Sequence, residues 1–367
     1  MKKIYKDERV VLTLDAGGTN LVFSAMKSGK QLGEQLVLSA KVKDLSGFLQ
    51  RVEEGFSQLI KQVGEINAIS FAFPGPADYP KGIIGDLENL PVFKGGVALG
   101  PYLENRFNVP VYINNDGDLF TLGEAIGGLL PYINEQLKEQ NSTRYYKNLI
   151  GVTLGTGFGG GLVSNLQLIQ GDNSAAGEIN RMSNSLIKNT TAEESVSIRA
   201  VKNVYCQEAG IKKIDCPEPN DIYLIAKGKK DGNQKAAIES YKRLSMALAD
   251  AIANTITIFD ASVVIGGGLS GAHSLILPTV AEELNKRWKT LDGEPVQRME
   301  VFAYNLHNQD CLADFIKNGD IQIQIPGSTQ TITYQDQKKV AIGVSRLGTS
   351  EAVALGAYAY ALTTLEA

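Results

Sequence analysis

Residues 10–20 read Val10-Val11-Leu12-Thr13-Leu14-Asp15-Ala16-Gly17-Gly18-Thr19-Asn20, and this stretch decides the fold. From Val10 to Leu14 every residue is apolar or β-branched, the composition of a buried strand. Asp15 ends the run, two glycines follow, and beyond Thr19 a second apolar run spans Leu21 to Ala25. Strand, glycine turn, strand is the pattern of a hairpin. Glycines let backbone N–H groups approach a bound anion closely, and Thr19 adds a hydroxyl donor. A carboxylate beside such a turn repels phosphate unless a divalent cation lies between them.

The pattern returns about 140 residues later, at Ile150-Gly151-Val152-Thr153-Leu154-Gly155-Thr156-Gly157-Phe158-Gly159-Gly160-Gly161-Leu162-Val163. Two such units predict a duplicated domain with a phosphate clamp at its centre. Two unrelated hairpins are the plainer alternative, because either unit alone is a weak signal.

Composition narrows the class. The 367 residues are enough for two domains with sizeable cores. Forty acidic residues against 36 basic ones give a net charge of -4. The basic clusters, Lys227 with Lys229-Lys230 and Lys338-Lys339, read as solvated loops, so nucleic-acid binding is not expected. No apolar run approaches the roughly 18 residues that span a membrane, and Asp7, Glu8 and Arg9 stand where a signal peptide would be apolar. A cytoplasmic location with no membrane partner is expected. Cys206, Cys216 and Cys311 are far apart in sequence and share no ligand spacing with His273 or His307. They read as free thiols, not as a zinc site.

Along the chain, strands alternate with helices, as in an α/β protein. Phe48, Val52, Phe56, Leu59 and Val63 recur at helical spacing behind Asp44 or Ser46 as cap. Ala68–Phe73 and Val109–Ile113 read as strands, the first running into Pro74-Gly75-Pro76, a rigid turn where a ligand can meet the backbone. Residues 131–141 read as a polar surface helix, and 193–209 as a helix stopped by Gly210. The longest helical pattern, 236–259, puts Ile238, Tyr241, Leu244, Leu248, Ile252, Ile256 and Phe259 on one face. After a strand at 261–265, a glycine turn opens a helix expected to reach about Leu291. Residues 321–344 alternate as β structure around Pro326-Gly327-Ser328.

Two G-x-G-x-x-G matches occur, at Gly155, Gly157, Gly160 and at Gly266, Gly268, Gly271. The first leads into a strand, which contradicts a dinucleotide fold. The second follows a strand and opens a helix, but the position about 20 residues on falls inside that helix, whereas a Rossmann reading needs its carboxylate at the end of the next strand. It reads instead as a turn on which a nucleotide can lie flat.

Asp116, at a strand end and a helix start, has two readings. It is placed to be a general base beside an attacking hydroxyl, or to be an ordinary N-cap. Five motifs bear on that choice: Asp15 to Asn20; Phe73-Pro74-Gly75-Pro76; Asn115-Asp116 with Glu124; Leu154 to Gly161; and Ile265-Gly266-Gly267-Gly268-Leu269-Ser270. Together, in this order, they resemble the ROK family of repressors, open reading frames and sugar kinases. The resemblance runs from residue 11 to about 360.

The resemblance implies an actin-like ATPase (ribonuclease H-like) pair of domains with the site in the cleft between them. Residues 1–147 would form the N-terminal domain, with sugar site and catalytic Asp. Residues 148–367 would form the C-terminal domain, with the nucleotide site and a β-ribbon insertion near 320–335. It implies an ATP-dependent kinase acting on the 6-hydroxyl of a hexose or N-acetylhexosamine of glucose, N-acetylmannosamine or fructose type. Asp116 would be the base. Asn115, Asn89, Glu178 and Glu193 would hold the sugar, with Gly75 close by. Gly17, Gly18, Thr19, Gly155, Thr156 and Gly157 would hold the ATP phosphates, and Gly267 and Gly268 the nucleoside. Asp15 would position Mg²⁺, through water.

The chain departs from the family pattern after Glu178. The usual Gly-His pair is Asn180-Arg181 here, and residues 182–192 contain none of the cysteines of the family zinc loop. No zinc is expected. Arg181 stands in for the histidine and is expected to pair with Glu178, Glu193 or substrate, or else to lie solvated on the surface. The other functions to weigh are a sugar sensor without turnover and a DNA-binding repressor. The latter would need a winged-helix domain ahead of Val10, where nine residues stand. A nicotinamide-dependent dehydrogenase would rest on the Gly266 turn alone. The ribbon is expected to be a homodimer or partner surface, or to fold back on its own domain.

Overall fold

The computed structural model describes residues 3–16, 20–85 and 91–366. Gly17, Gly18, Thr19 and Asn89 therefore lie outside the described residues. The first apolar runs form β1 (Val11–Ala16) and β2 (Asn20–Lys27), antiparallel, with β3 (Lys30–Ser39) beyond them. Helix α1 (Leu45–Val63) starts at Asp44, whose carboxylate accepts from the Gly47 N–H at 2.8 Å. Then come β4 (Ala68–Ala72), the short pair β5 (Ala77–Asp78) and β6 (Ile83–Ile84), α2 (Leu99–Phe107), β7 (Val111–Asn114) and α3 (Asp116–Gly127). The sheet order is β3-β2-β1-β4-β7, with β1, β4 and β7 parallel.

The chain continues through α4 (Leu129–Glu139), β8 (Leu149–Leu154), β9 (Phe158–Ser164), β10 (Gln167–Leu168), α5 (Ile198–Ala209), α6 (Pro219–Ala226) and α7 (Gln234–Phe259). Next are β11 (Ser262–Gly266), α8 (His273–Leu284), β12 (Arg287–Lys289), β13 (Pro295–Gln297), β14 (Phe302–Asn305) and α9 (Gln309–Ile316). The ribbon β15 (Ile321–Gln324) and β16 (Thr331–Tyr334), then β17 (Lys339–Val344) and α10 (Thr349–Thr364), complete it. The second sheet runs β10-β9-β8-β11-β17-β14. Its first five strands repeat the plan of the first sheet: an antiparallel hairpin, then parallel strands outward from its first strand. This is the duplication that the two Gly-Thr turns predict.

The two compact units do not follow a single cut near residue 148. One comprises residues 1–128, 161–177 and 347–367, the other 129–160 and 178–346. The interleaving has a physical cause in α10. Its residues are buried on nearly every side, among them Ala352, Leu355, Ala357, Tyr358, Ala361 and Leu362. Such a helix needs a core around it, and α10 finds one against α3, β1 and β4 of the first unit. The first unit also holds an aromatic core. Phe23 meets Phe56 edge-on at 5.1 Å, and Phe93 lies 5.3 Å from Phe48 and 5.2 Å from Phe73. Each such pair adds about 0.5–1.5 kcal/mol beyond area burial.

Several local expectations are corrected. Helix α4 is not a polar surface helix: Leu130, Ile133, Asn134 and Leu137 are buried. Residues 192–194 form a separate 3₁₀ turn, and α5 begins only after its cap Ser197, so Glu193 is not on that helix. Ile238 is exposed, while Tyr241, Leu244, Leu248, Ile252 and Ile256 are buried as their spacing requires. Helix α8 stops at Leu284, and the chain turns into the β12–β13 hairpin instead of reaching Leu291. The ribbon does not fold back on its unit. Ile321, Ile323, Ile332 and Tyr334 are exposed, and it is anchored near its base, where Asp320 accepts from the Thr143 N–H.

Helices α3 and α10 cross so closely that no side chain fits between them. A Cβ on Gly123 would overlap the Ala352 carbonyl, and one on Gly356 the Leu119 carbonyl. Backbone on both sides leaves little to yield. Gly356→Ala is expected to cost about 3 kcal/mol, the upper end of ordinary overpacking, and to lower Tm by roughly 6–12 °C. An unchanged melting temperature would contradict the crossing.

Candidate active site

In the first unit, the site is built at the junction of β7 and α3. Strand β7 ends at Asn114, which is fully buried and accepts from the Gln170 side chain at 2.6 Å. Gln170 in turn accepts from the Tyr360 hydroxyl at 3.1 Å. Among the described residues the Asn114 Nδ2 has no partner. Asn115 then caps α3, its Oδ1 accepting from the Gly117 N–H at 2.7 Å. The cap reading of Asp116 is thereby corrected: Asn115 fills that role, and Asp116 is the first residue of the helix. Its Oδ1 shares the same Gly117 N–H at 2.9 Å.

Asp116 is accessible to solvent, yet protein surrounds its carboxyl closely enough that desolvation pushes it above the usual carboxylate range. The nearby charge of Asp15 pushes it further in the same direction, against the Gly117 N–H. Asp15 itself sits near the end of β1, exposed, with one oxygen accepting from the Ser350 hydroxyl at 3.2 Å. Its other oxygen and its position suit a hydrated divalent cation. Gly75 is exposed in its loop, which Tyr79 pins by donating to the Phe73 carbonyl at 2.9 Å. Glu124 is not part of the open site. It is fully buried and accepts from the Leu347 N–H at 3.1 Å.

In the second unit, β8 and β9 are joined by Gly155-Thr156-Gly157, closed by the Gly155 N–H donating to the Gly157 carbonyl at 3.0 Å. A Cβ on Gly155 would meet nothing within 4 Å, so this face of the turn is open to a ligand, and Thr156 is exposed beside it. An anion such as a phosphate fits there. Gly267 has a φ of 82°, and a Cβ on it would lie 2.6 Å from the Leu154 nitrogen. Its lack of a side chain is therefore explained by strand β8 beside it. Gly268 faces open space.

Glu193 lies against this turn: its Oε2 accepts from the Phe158 N–H at 3.1 Å. That contact fixes the end of the turn and leaves Oε1 for another partner. Glu178 is exposed at the head of the 179–181 turn. Arg181 is exposed as well, and among the described residues it forms no ion pair with Glu178 or Glu193. The expected pairing is thus absent.

The residue that organises the 182–192 loop is Asn184, which sequence reasoning missed. It is buried, and its Oδ1 accepts from the N–H groups of Leu186 and Ile187 at 2.9 and 3.2 Å. Its Nδ2 donates to the Thr191 carbonyl and the Ser195 hydroxyl at 3.1 and 2.9 Å. The Ala192 N–H closes the loop on the Met182 carbonyl at 2.8 Å. Ser183-Asn184-Ser185 is Asx-turn composition, the one signal that could have found it. Gln170 and Tyr360 carried no such signal, because only the fold brings them to Asn114.

Comparison with known proteins agrees with this architecture. The profile of the ROK family matches residues 11–312. An N-acetyl-D-glucosamine kinase of Vibrio cholerae is 28% identical over 284 residues, 74% of this chain and 87% of that protein. The crystal structure of a glucokinase from Parabacteroides distasonis is 44% identical, with a TM-score of 0.89 over 98% of this chain and 99% of that one. A ROK hexokinase from Thermus thermophilus shares the fold at 17% identity, with a TM-score of 0.68 over 98% of this chain and 100% of that one. The fold is the actin-like ATPase fold.

Asn184→Ala removes the hub of the loop and takes the partner from two part-buried N–H groups, the Thr191 carbonyl and the buried Ser195 hydroxyl, at about 1 kcal/mol. Amide exchange at 183–192 is expected to quicken, while the β8 and β11 amides stay protected. Exchange in the loop equal to wild type would contradict its role.

Proposed function

Since the chain belongs to the ROK family, we propose that it is an ATP-dependent sugar kinase, transferring the γ-phosphate to the 6-hydroxyl of a hexose or N-acetylhexosamine. The observation that carries this reading is Asp116. Its neighbour Asn115 takes over the cap, and its carboxyl is raised toward the range of a working base. The glucokinase and N-acetyl-D-glucosamine kinase relatives make glucose and N-acetylated sugars the first acceptors to try.

In this reading Asp116 takes the proton from the sugar hydroxyl as the sugar oxygen attacks the γ-phosphorus, and the bond from that phosphorus to the β,γ-bridging oxygen breaks to release ADP. Asn115 keeps its amide donors for the sugar, since the cap uses only Oδ1. Glu178 and the Oε1 of Glu193 accept from ring hydroxyls, and Asn89 and Gly75 complete the sugar side. Gly155, Thr156 and Gly157, with Gly17, Gly18 and Thr19 of the first hairpin, hold the phosphates. Asp15 would hold Mg²⁺ through water, and the ion would supply neutralisation of phosphate charge. Arg181, free of both glutamates, remains available to a substrate hydroxyl. A sensor without turnover would not need a raised base, which favours the kinase.

The protein is expected to form a homodimer through the exposed ribbon β15–β16. Its residues 321–334 carry no charged side chain, and an uncharged open strand edge invites pairing. Deleting 321–334 should lower the mass seen by light scattering without unfolding the chain. An unchanged mass would remove the idea.

The test of the function is a coupled ADP-release assay against a panel of hexoses that includes N-acetylated ones, with Mg²⁺ as the only metal. No sugar-dependent release with any of them would sink the reading. Asp116→Asn should lower kcat by about 10²–10⁴-fold with small changes in KM. Because the base must be deprotonated and its folded pKa is raised, kcat/KM should fall with pH at values above the ordinary Asp range of about 3.9. An acid limb at or below that range would contradict the assignment.

A further inference from the structure

Strand β7 passes the chain to α3 through Asn114, Asn115 and Asp116. Asn114 is fully buried at the last position of the strand. Its backbone carbonyl accepts from the Phe73 N–H at 2.9 Å, so the same residue fixes the chain just ahead of Pro74-Gly75. Among the described residues its side chain makes one hydrogen bond, in which the Gln170 Nε2 donates to its Oδ1 at 2.6 Å. Behind Gln170 stands Tyr360 of α10. Its hydroxyl donates to the Gln170 Oε1 at 3.1 Å, and its ring meets Tyr112 of β7 edge-on at 6.0 Å. Burial pushes this hydroxyl above the usual tyrosine range, so it keeps the proton it donates.

The Gln170 carboxamide is thus used at both atoms, its oxygen by tyrosine and its nitrogen by asparagine. In such a chain each bond polarises the next, and a flexible side chain is held in one place. The same segment also reaches the helix itself. A Cβ on Gly161 would lie 2.6 Å from the Gly117 carbonyl oxygen and 2.9 Å from the Asp118 Cα. Gly161 therefore runs with its backbone against the first turn of α3, the turn that Asp116 opens. Residues 161–177, β7, α3 and α10 all belong to the first unit.

A base must meet the proton it takes, and a misplacement of about 1 Å can cost about 10²-fold. Among the described residues the Asp116 carboxyl accepts only from backbone N–H groups at the start of α3. Its position is therefore the position of that backbone. We propose that Gln170 is a positioning residue for the transfer. Through Asn114 it holds the backbone at 115–116 where Asp116 meets the acceptor hydroxyl, and Tyr360 fixes Gln170 from behind. The proposal rests on the reading of Asp116 as the base. Because Gln170 acts through Asp116, its loss matters to the rate only while the base is present. A residue that merely stabilises the unit has no such dependence.

The test is a double-mutant cycle on kcat, read as sugar phosphate formed by the whole protein from ATP, Mg²⁺ and glucose or an N-acetylhexosamine. Its members are wild type, Gln170→Leu, Asp116→Asn and the double variant, all assayed well below their melting temperatures. Gln170→Leu alone is expected to lower kcat by roughly 10–100-fold and to leave the KM for ATP unchanged. In the Asp116→Asn background the same substitution should change the residual rate by less than about twofold. Tyr360→Phe removes only the bond behind Gln170, so its rate should lie between wild type and Gln170→Leu. Where Gln170→Leu does not fold, Tyr360→Phe carries the same cycle. An unchanged kcat for Gln170→Leu, or equal losses in both backgrounds, overturns the proposal and leaves the base reading intact. A wild type that forms no sugar phosphate overturns the kinase reading, and an Asp116→Asn variant as fast as wild type overturns the base reading. Either of these takes the proposal with it.

Discussion

The first unit depends on one crossing. Helix α3 carries Asp116 at its first position, and α10 passes it with backbone against backbone at Gly123 and Gly356. No side chain separates the two helices, so neither can slide or rotate without a carbonyl collision. The start of α3 is fixed in turn by the Asn115 cap, and the strand before it by the chain from Asn114 through Gln170 to Tyr360 on α10. Asp116 is therefore placed by elements from three distant parts of the sequence. Its raised pKa follows from the same placement, because a carboxyl crowded by protein, with the charge of Asp15 adding repulsion, loses more than it regains from the N–H groups of Gly117 and of Asp116 itself.

The second unit solves a different problem with polar side chains. Its Gly155-Thr156-Gly157 turn is closed by its own backbone and steadied by Glu193 through Phe158. The neighbouring 182–192 loop has no cysteines for a metal, and a buried asparagine does the organising. Asn184 satisfies donors and acceptors on both strands of the loop from one side chain. A fully satisfied buried amide can fix a loop as a metal does, although with far less free energy at stake. That leaves Arg181 at the surface and uncommitted.

Much of this was legible in the residues. The two strand–Gly-Thr–strand runs announced the duplicated sheet plan, because continuous apolar runs and turn glycines are local signals. The caps of α1 and the stop of α5 at Gly210 were equally local. What sequence could not show was set by contacts across the chain. The long apolar pattern of α10 gave no hint that the last helix belongs with the first strands. Asn115 and Asp116 are both good caps, and only the backbone angles at Asn115 decide between them. Glu193 looked helical because it adjoins a good helix, yet the Ser197 cap starts the helix four residues later. Asn184 was hidden among polar loop residues, where composition does not separate a hub from a solvated side chain.

The central claim is that this chain moves a phosphoryl group to a sugar oxygen with Asp116 as base. Release of ADP alone does not distinguish this from hydrolysis, so the product itself is the most direct evidence. ³¹P NMR of wild type and Asp116→Asn, each with ATP, Mg²⁺ and glucose or an N-acetylhexosamine, reads it directly. A sugar phosphomonoester resonance growing in step with ADP for wild type, and absent over the same period for Asp116→Asn, is the expected result. Inorganic phosphate as the sole product, or equal sugar phosphate from both proteins, would contradict it.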